Sequence, residues 1–161
     1  MLYNLLVERK DVSMKRLVVN DHSSTKVHED IFAMALVNEN NNDPVLVSVY
    51  EGGSEGGLPH VHVTFKTDKM CCVDLTKPCY SKHHDELPHM DANSKKRFIK
   101  VMTSYVDRAV KTANGLWVSE GVTGYHYAVH MWVKAHEHGS YDKFNLDENG
   151  LPVMPDYKTY L

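Results

Sequence analysis

The sequence predicts an α+β domain, a small antiparallel sheet of hairpins packed against one long and one shorter helix. Three observations carry this. Residues 60–66 and 70–75 alternate apolar and polar side chains with a period of two, and only three residues separate them. From Asp91 onward the apolar residues recur at steps of three and four instead. With 161 residues, 42% of them apolar and 24% charged, the chain is long enough to close one hydrophobic core without staples.

Along the chain, Leu2 to Val7 and Leu17 to Val19 are short apolar runs set in polar sequence and predict one or two strands. Ile31 to Val37 is continuously apolar, Asn38 to Asp43 is entirely Asn, Glu and Asp, and Val45 to Tyr50 is strand-like again. That is a hairpin with a polar turn. The stretch Glu51 to Pro59 holds four glycines and a proline and predicts a flexible loop leading into the next strand.

In that strand Val61, Val63 and Phe65 share one face, and His60, His62, Thr64 and Lys66 share the other. In the following run Cys71, Val73 and Leu75 alternate with Met70, Cys72 and Asp74. Matching the two apolar faces predicts a hairpin closed by Thr67-Asp68-Lys69, with opposed residue numbers that sum to 136. Val63 then faces Val73, Phe65 faces Cys71, and His62 faces Asp74.

Behind a cap at Asp91 or Asn93, the pattern Phe98, Ile99, Met102, Tyr105, Val106, Ala109, Val110, Ala113 predicts one helix ending near Gly115. After Leu116-Trp117-Val118, Thr123 is placed to cap a shorter helix with Ala128, Met131, Trp132 and Ala135 on one side. Asp147 to Gly150 reads as a turn, and Pro152 and Pro155 forbid a regular helix there. The expected organisation is therefore a single domain over residues 1–139 and an extended tail over 140–161.

The composition narrows the function classes. Eighteen Lys and Arg against 21 Asp and Glu leave a net charge of -3, which argues against wrapping nucleic acid by bulk charge. No apolar run approaches the roughly 20 residues that span a bilayer, and the apolar stretch within Met1 to Arg9 is too short for a signal peptide. Three cysteines are an odd number without Cys-x-x-Cys spacing, so reduced packing cysteines and a cytoplasmic location are expected.

The strand Leu58-Pro59-His60-Val61-His62-Val63, with Asp74 on the strand after it and Leu87-Pro88-His89 before a helix, resembles a small bacterial domain-of-unknown-function family marked by a Pro-His-Phe-His-Val strand. The resemblance spans about residues 44–117, and Val61 stands where that family has Phe. Genes of the family often lie beside a partner gene in a toxin–antitoxin-like arrangement. The resemblance thus implies a protein-binding module from such a locus or from a mobile element.

Two histidines two apart on a strand share a face, and a carboxylate opposite one of them can fix its tautomer. His60, His62, Thr64 and Asp74 are therefore the expected binding surface, and His60, His62 and Asp74 the expected ligands of a divalent metal such as zinc. For a bare zinc site Asp74, Cys72 and His84 are the candidate third donors. Weighed against this is ordinary hydrogen bonding of half-exposed sheet histidines.

Three other constellations are weaker. His126 and His130 are four apart and stack on one helix face, but the intervening Glu of a zinc-protease motif is missing. His62-Val63-Thr64 fits the His-x-Thr signature of two-histidine phosphoesterases, yet the second copies on offer, His22-Ser23-Ser24 and His138-Gly139-Ser140, read as turns. Arg97, Lys100, Ser104, Arg108 and Lys111 form a row along the expected long helix, a candidate nucleic-acid face or simply its solvated side.

Overall fold

A computed structural model of the chain describes residues 16–17, 19–23, 30–35, 45–50, 58–82, 87–136 and 139–161, with the backbone alone over 16–35 and at Tyr50. The fold is α+β, as the periodicities predict. Among the described residues nine strands and three helices follow in the order β1 (Arg16–Leu17), β2 (Val19–Ser23), β3 (Asp30–Ala35), β4 (Leu46–Tyr50), β5 (His60–Phe65), β6 (Lys69–Asp74), α1 (Ala92–Thr103), β7 (Tyr105–Val106), β8 (Val110–Lys111), β9 (Trp117–Val118), α2 (Gly124–Ala135) and α3 (Tyr157–Tyr160). Strands β2 to β6 form an antiparallel meander in sequence order. Strictly sequential neighbours keep this sheet locally determined. The apolar run Leu2 to Val7, the expected polar turn 38–43, the Gly-rich stretch 51–57 and residues 83–86 lie outside the described residues.

One face of the sheet makes the core. Val47, Val49, Val61, Val63, Phe65 and Val73 are all buried there, against Phe98, Val101 and Met102 of α1 and Tyr125, Ala128 and Val129 of α2. Fully burying a side chain of this size is worth about 1.5–3 kcal/mol, so this layer holds helices and sheet together. The two helices also cross closely. A Cβ at Gly124 would lie 2.1 Å from the Val101 carbonyl oxygen, so only glycine fits where α2 starts against α1.

The helix read from Asp91 to Gly115 stops at Thr103. Thr103 Oγ returns to the Ile99 carbonyl, and the Ser104 amide and hydroxyl both donate to the Lys100 carbonyl. The next residues are drawn into strands: β7 runs parallel to β1, Tyr105 bridges Thr123, and Val106 N–H donates to Val122 O. Helices α1 and α2 are thus equal, 12 residues each, rather than one long and one shorter. The second helix starts where expected, with Thr123 and His126 forming a reciprocal capping box.

The C-terminal segment is not an extended tail. Phe144, Leu151 and Tyr157 are buried in the common core, Leu146 bridges Pro152, and α3 ends the chain. The turn at 147–150 is present, with Gly150 N–H donating to Asp147 O and the Asp147 carboxylate accepting from Asn149 and Leu151.

Candidate metal centre on the His-x-His strand

Strands β5 and β6 pair as a hairpin, but in a register two residues away from the expected one. His60 faces Asp74, Val61 faces Val73, His62 faces Cys72, Val63 faces Cys71 and Phe65 faces Lys69, so opposed numbers sum to 134. The reason lies in the turn. Lys66 and Thr67 take left-handed backbone angles, with φ of 49° and 65°, and Asp68 N–H closes back on Lys66 O at 2.8 Å. The three-residue loop therefore begins at Lys66 rather than at Thr67. Since the shift is even, each side chain keeps its face.

The polar face carries His60, His62 and Thr64 on β5, Met70, Cys72 and Asp74 on β6, and Ser48 of β4 opposite His62. It is polar but not open. Ser48, Cys72 and Asp74 are buried, and the histidines and Thr64 are half-buried. The His60 and His62 rings lie 5.2 Å apart, tilted by 31°. The donor atoms of His60, His62 and Cys72 all lie within 4.8 Å of one another, and this group could hold a metal ion. A tetrahedral zinc centre needs donors about 3.4–3.6 Å apart, given Zn–N of about 2.0–2.1 Å and Zn–S of about 2.3 Å, so an ion would draw them in by about an ångström.

A second feature suits ligation. His60 Nδ1 lies 2.9 Å from the Leu58 carbonyl oxygen. A carbonyl only accepts, so Nδ1 carries the hydrogen and the neutral ring keeps its lone pair on Nε2. Metal-binding histidines are commonly held this way by a second hydrogen bond.

Asp74, expected opposite His62 and as a third ligand, has another task. Its Oδ1 accepts from Thr76 N at 2.6 Å, Thr76 Oγ at 2.7 Å and Lys77 N at 2.9 Å, which fixes the turn after β6. It is absent from the group of close donors, where Cys72 takes its place. Of the other cysteines, Cys71 points into the core, where burial pushes its thiol up to about 12, and Cys79 is half-buried, its thiol also raised by burial. Sequence reasoning missed Ser48 and the Leu58 carbonyl. The alternation Val47-Ser48-Val49 placed Ser48 on the polar face, but nothing in the sequence marked a backbone carbonyl.

The weaker constellations are dispersed or otherwise engaged. His126 Nδ1 accepts from Thr123 N and His130 Nδ1 accepts from Lys111 N, each at 3.1 Å, so the helical pair caps and braces the fold. Burial holds both imidazoles below the ordinary histidine range. His22 and Ser23 lie on a strand, β2, rather than in a turn, but three strands from β5, about 14 Å at about 4.8 Å per strand. His138, like His84, lies outside the described residues. The basic row is broken: Arg97 and Lys100 are on α1, Arg108 follows β7, and Lys111 is on β8. Arg108 also lines a polar pocket together with Asp107 and Glu120, whose carboxylates oppose a phosphate there.

Comparison with protein-family profiles, curated proteins and solved structures found no match for the chain. Among the described residues no helix is long and apolar enough to cross a membrane.

Proposed function

We propose that this chain is a non-catalytic binding module of the cytoplasm whose working surface is the His-x-His strand, and that the surface holds a divalent transition-metal ion such as zinc. One observation carries the reading: donors from two adjacent strands converge within 4.8 Å on one sheet face. A rigid hairpin is a suitable support for such a site, because sheet positions hold donors more closely than loops do. The free state of all three cysteines agrees with a reducing compartment. A protein partner, and a toxin–antitoxin-like or mobile-element setting, belong to the same proposal and rest on the likeness of Pro59 to Val63 to the Pro-His-Phe-His-Val strand. The phosphodiesterase and nucleic-acid readings are less favoured, the first by the distance between β2 and β5 and the second by the broken basic row.

The test is metal analysis of protein purified without an affinity tag, followed by zinc titration of the metal-free form. We expect about one ion per chain, and a loss of affinity of tenfold or more in the His60→Ala and His62→Ala proteins, in line with removal of a ligand. Metal-free protein that takes up no zinc in calorimetry overturns the reading.

A further inference from the structure

We infer that the third donor of this centre is the thiolate of Cys72, so that the ion it selects is a thiophilic one, zinc or a chemically similar ion, and not magnesium, calcium or manganese. The inference rests on the proposed metal-binding reading and deepens it by fixing the ligand class.

Four placements support it. Cys72 is the direct cross-strand partner of His62, so its Cβ is about 4.5–5.5 Å from that of the histidine on the same face. Its sulfur falls within 4.8 Å of the donor nitrogens of both histidines. The one carboxylate on this face of β5 and β6, Asp74, spends Oδ1 on three hydrogen bonds to Thr76 and Lys77. Leu58 fixes His60 with Nε2 as its donor atom. Two imidazoles and a thiolate form a borderline-to-soft set. Such a set favours zinc, cobalt and cadmium, whereas the hard ions want oxygen donors in greater number.

Geometry adds a consequence. Three donors rising from one sheet face leave the remaining tetrahedral position pointing away from the sheet. An ion there is therefore held from one side by the hairpin.

Cobalt(II) is the probe that separates the two levels of the reading. Titrated into metal-free protein, cobalt bound by two imidazoles and a thiolate should give ligand-field bands in the visible together with a sulfur-to-cobalt charge-transfer band in the near ultraviolet. The Cys72→Ser protein should lose the charge-transfer band and bind at least tenfold more weakly, and the Asp74→Asn protein should keep both signals. Because Cys72 is buried, a Cys71→Ser, Cys79→Ser protein provides a second check: Cys72 is then the last thiol, and the charge-transfer band must persist. Ligand-field bands without charge transfer, or its loss in the double variant, overturn the thiolate assignment and leave metal binding standing. Absence of all bands overturns both. Magnesium or manganese displacing zinc at comparable concentration likewise refutes the selectivity.

Discussion

At Asp74 a single carboxylate oxygen accepts from the backbone amide and the hydroxyl of Thr76 and from the amide of Lys77, in a residue that is 2% exposed. Hydrogen bonds to a charged acceptor contribute about 1.5–3 kcal/mol each, and buried donors left without a partner cost a comparable amount. An Asp74→Ala protein should therefore lose on the order of 2–3 kcal/mol of stability, seen as a lower urea midpoint, while zinc affinity of the folded protein changes less than tenfold. Loss of zinc binding with unchanged stability would show the opposite assignment, ligand rather than turn. The identity of the polar face was legible from alternation alone, since His60, His62, Cys72 and Asp74 stand where a period of two puts them. Which pair lay opposite was not. Registers summing to 134 and to 136 place the same residues on the same face, and the choice falls to Lys66 and Thr67, whose left-handed angles are not the habit of those residue types.

Among the elements, α2 joins the two histidines that the spacing argument singled out. Each Nδ1 is an acceptor for a backbone amide, from Thr123 and from Lys111, and must stay unprotonated to do so. Burial depresses both; for His126 Asp147 and backbone partners at Pro152 and Gly121 oppose the shift, and for His130 the ammonium groups of Lys134 and Lys111 add to it. A histidine with a folded pKa below its unfolded value of about 6.5 binds its proton more readily when unfolded, so its contribution is full above about pH 6.5 and is lost as the pH falls toward the folded value. Urea midpoints should thus fall between about pH 7 and about pH 5.5, and the fall should be shallower in a His126→Gln, His130→Gln protein. Equal slopes in the two proteins would remove these histidines from the acid response. The start of α2 was legible because Thr123 caps it, whereas the end of α1 was not. Val106 and Val110 continue the helical spacing by coincidence: both are buried, but from β7 and β8, and pairing with β1 and Val122 decides the conformation of Val106 while pairing with Val118 of β9 decides that of Val110.

For the whole molecule, the end of β6 is where the hairpin, α2 and the C-terminal segment meet. Tyr125 of α2 donates its hydroxyl to the Leu75 carbonyl at 2.7 Å, and Tyr157 of α3 donates to the carbonyl of Asp74. Tyr157 is fully buried, edge-on to Phe98 at 5.4 Å, and burial raises both phenols, so they stay protonated and able to donate. Prolines 152 and 155 made residues 140–161 read as an extended tail, because a missing helix period says nothing about burial. The isolated apolar residues Phe144, Leu151 and Tyr157 carry that information, yet without a period there is no way to tell which of them fold inward. Tyr157→Phe keeps the ring and removes one hydroxyl from a buried carbonyl, which should cost about 1–2 kcal/mol, and Tyr157→Ala adds a cavity for a total of about 3–5 kcal/mol. Both should appear as lower urea midpoints with unchanged slope, the signature of lost stability in one cooperative unit. A Tyr157→Ala protein as stable as the parent would mean that the segment packs without supporting the core. A transition split in two would mean that the segment and the sheet unfold separately. The single transition is expected, because the carbonyls that the two tyrosines hold are those of the last residue of the strand that carries Cys72 and of the residue directly after it.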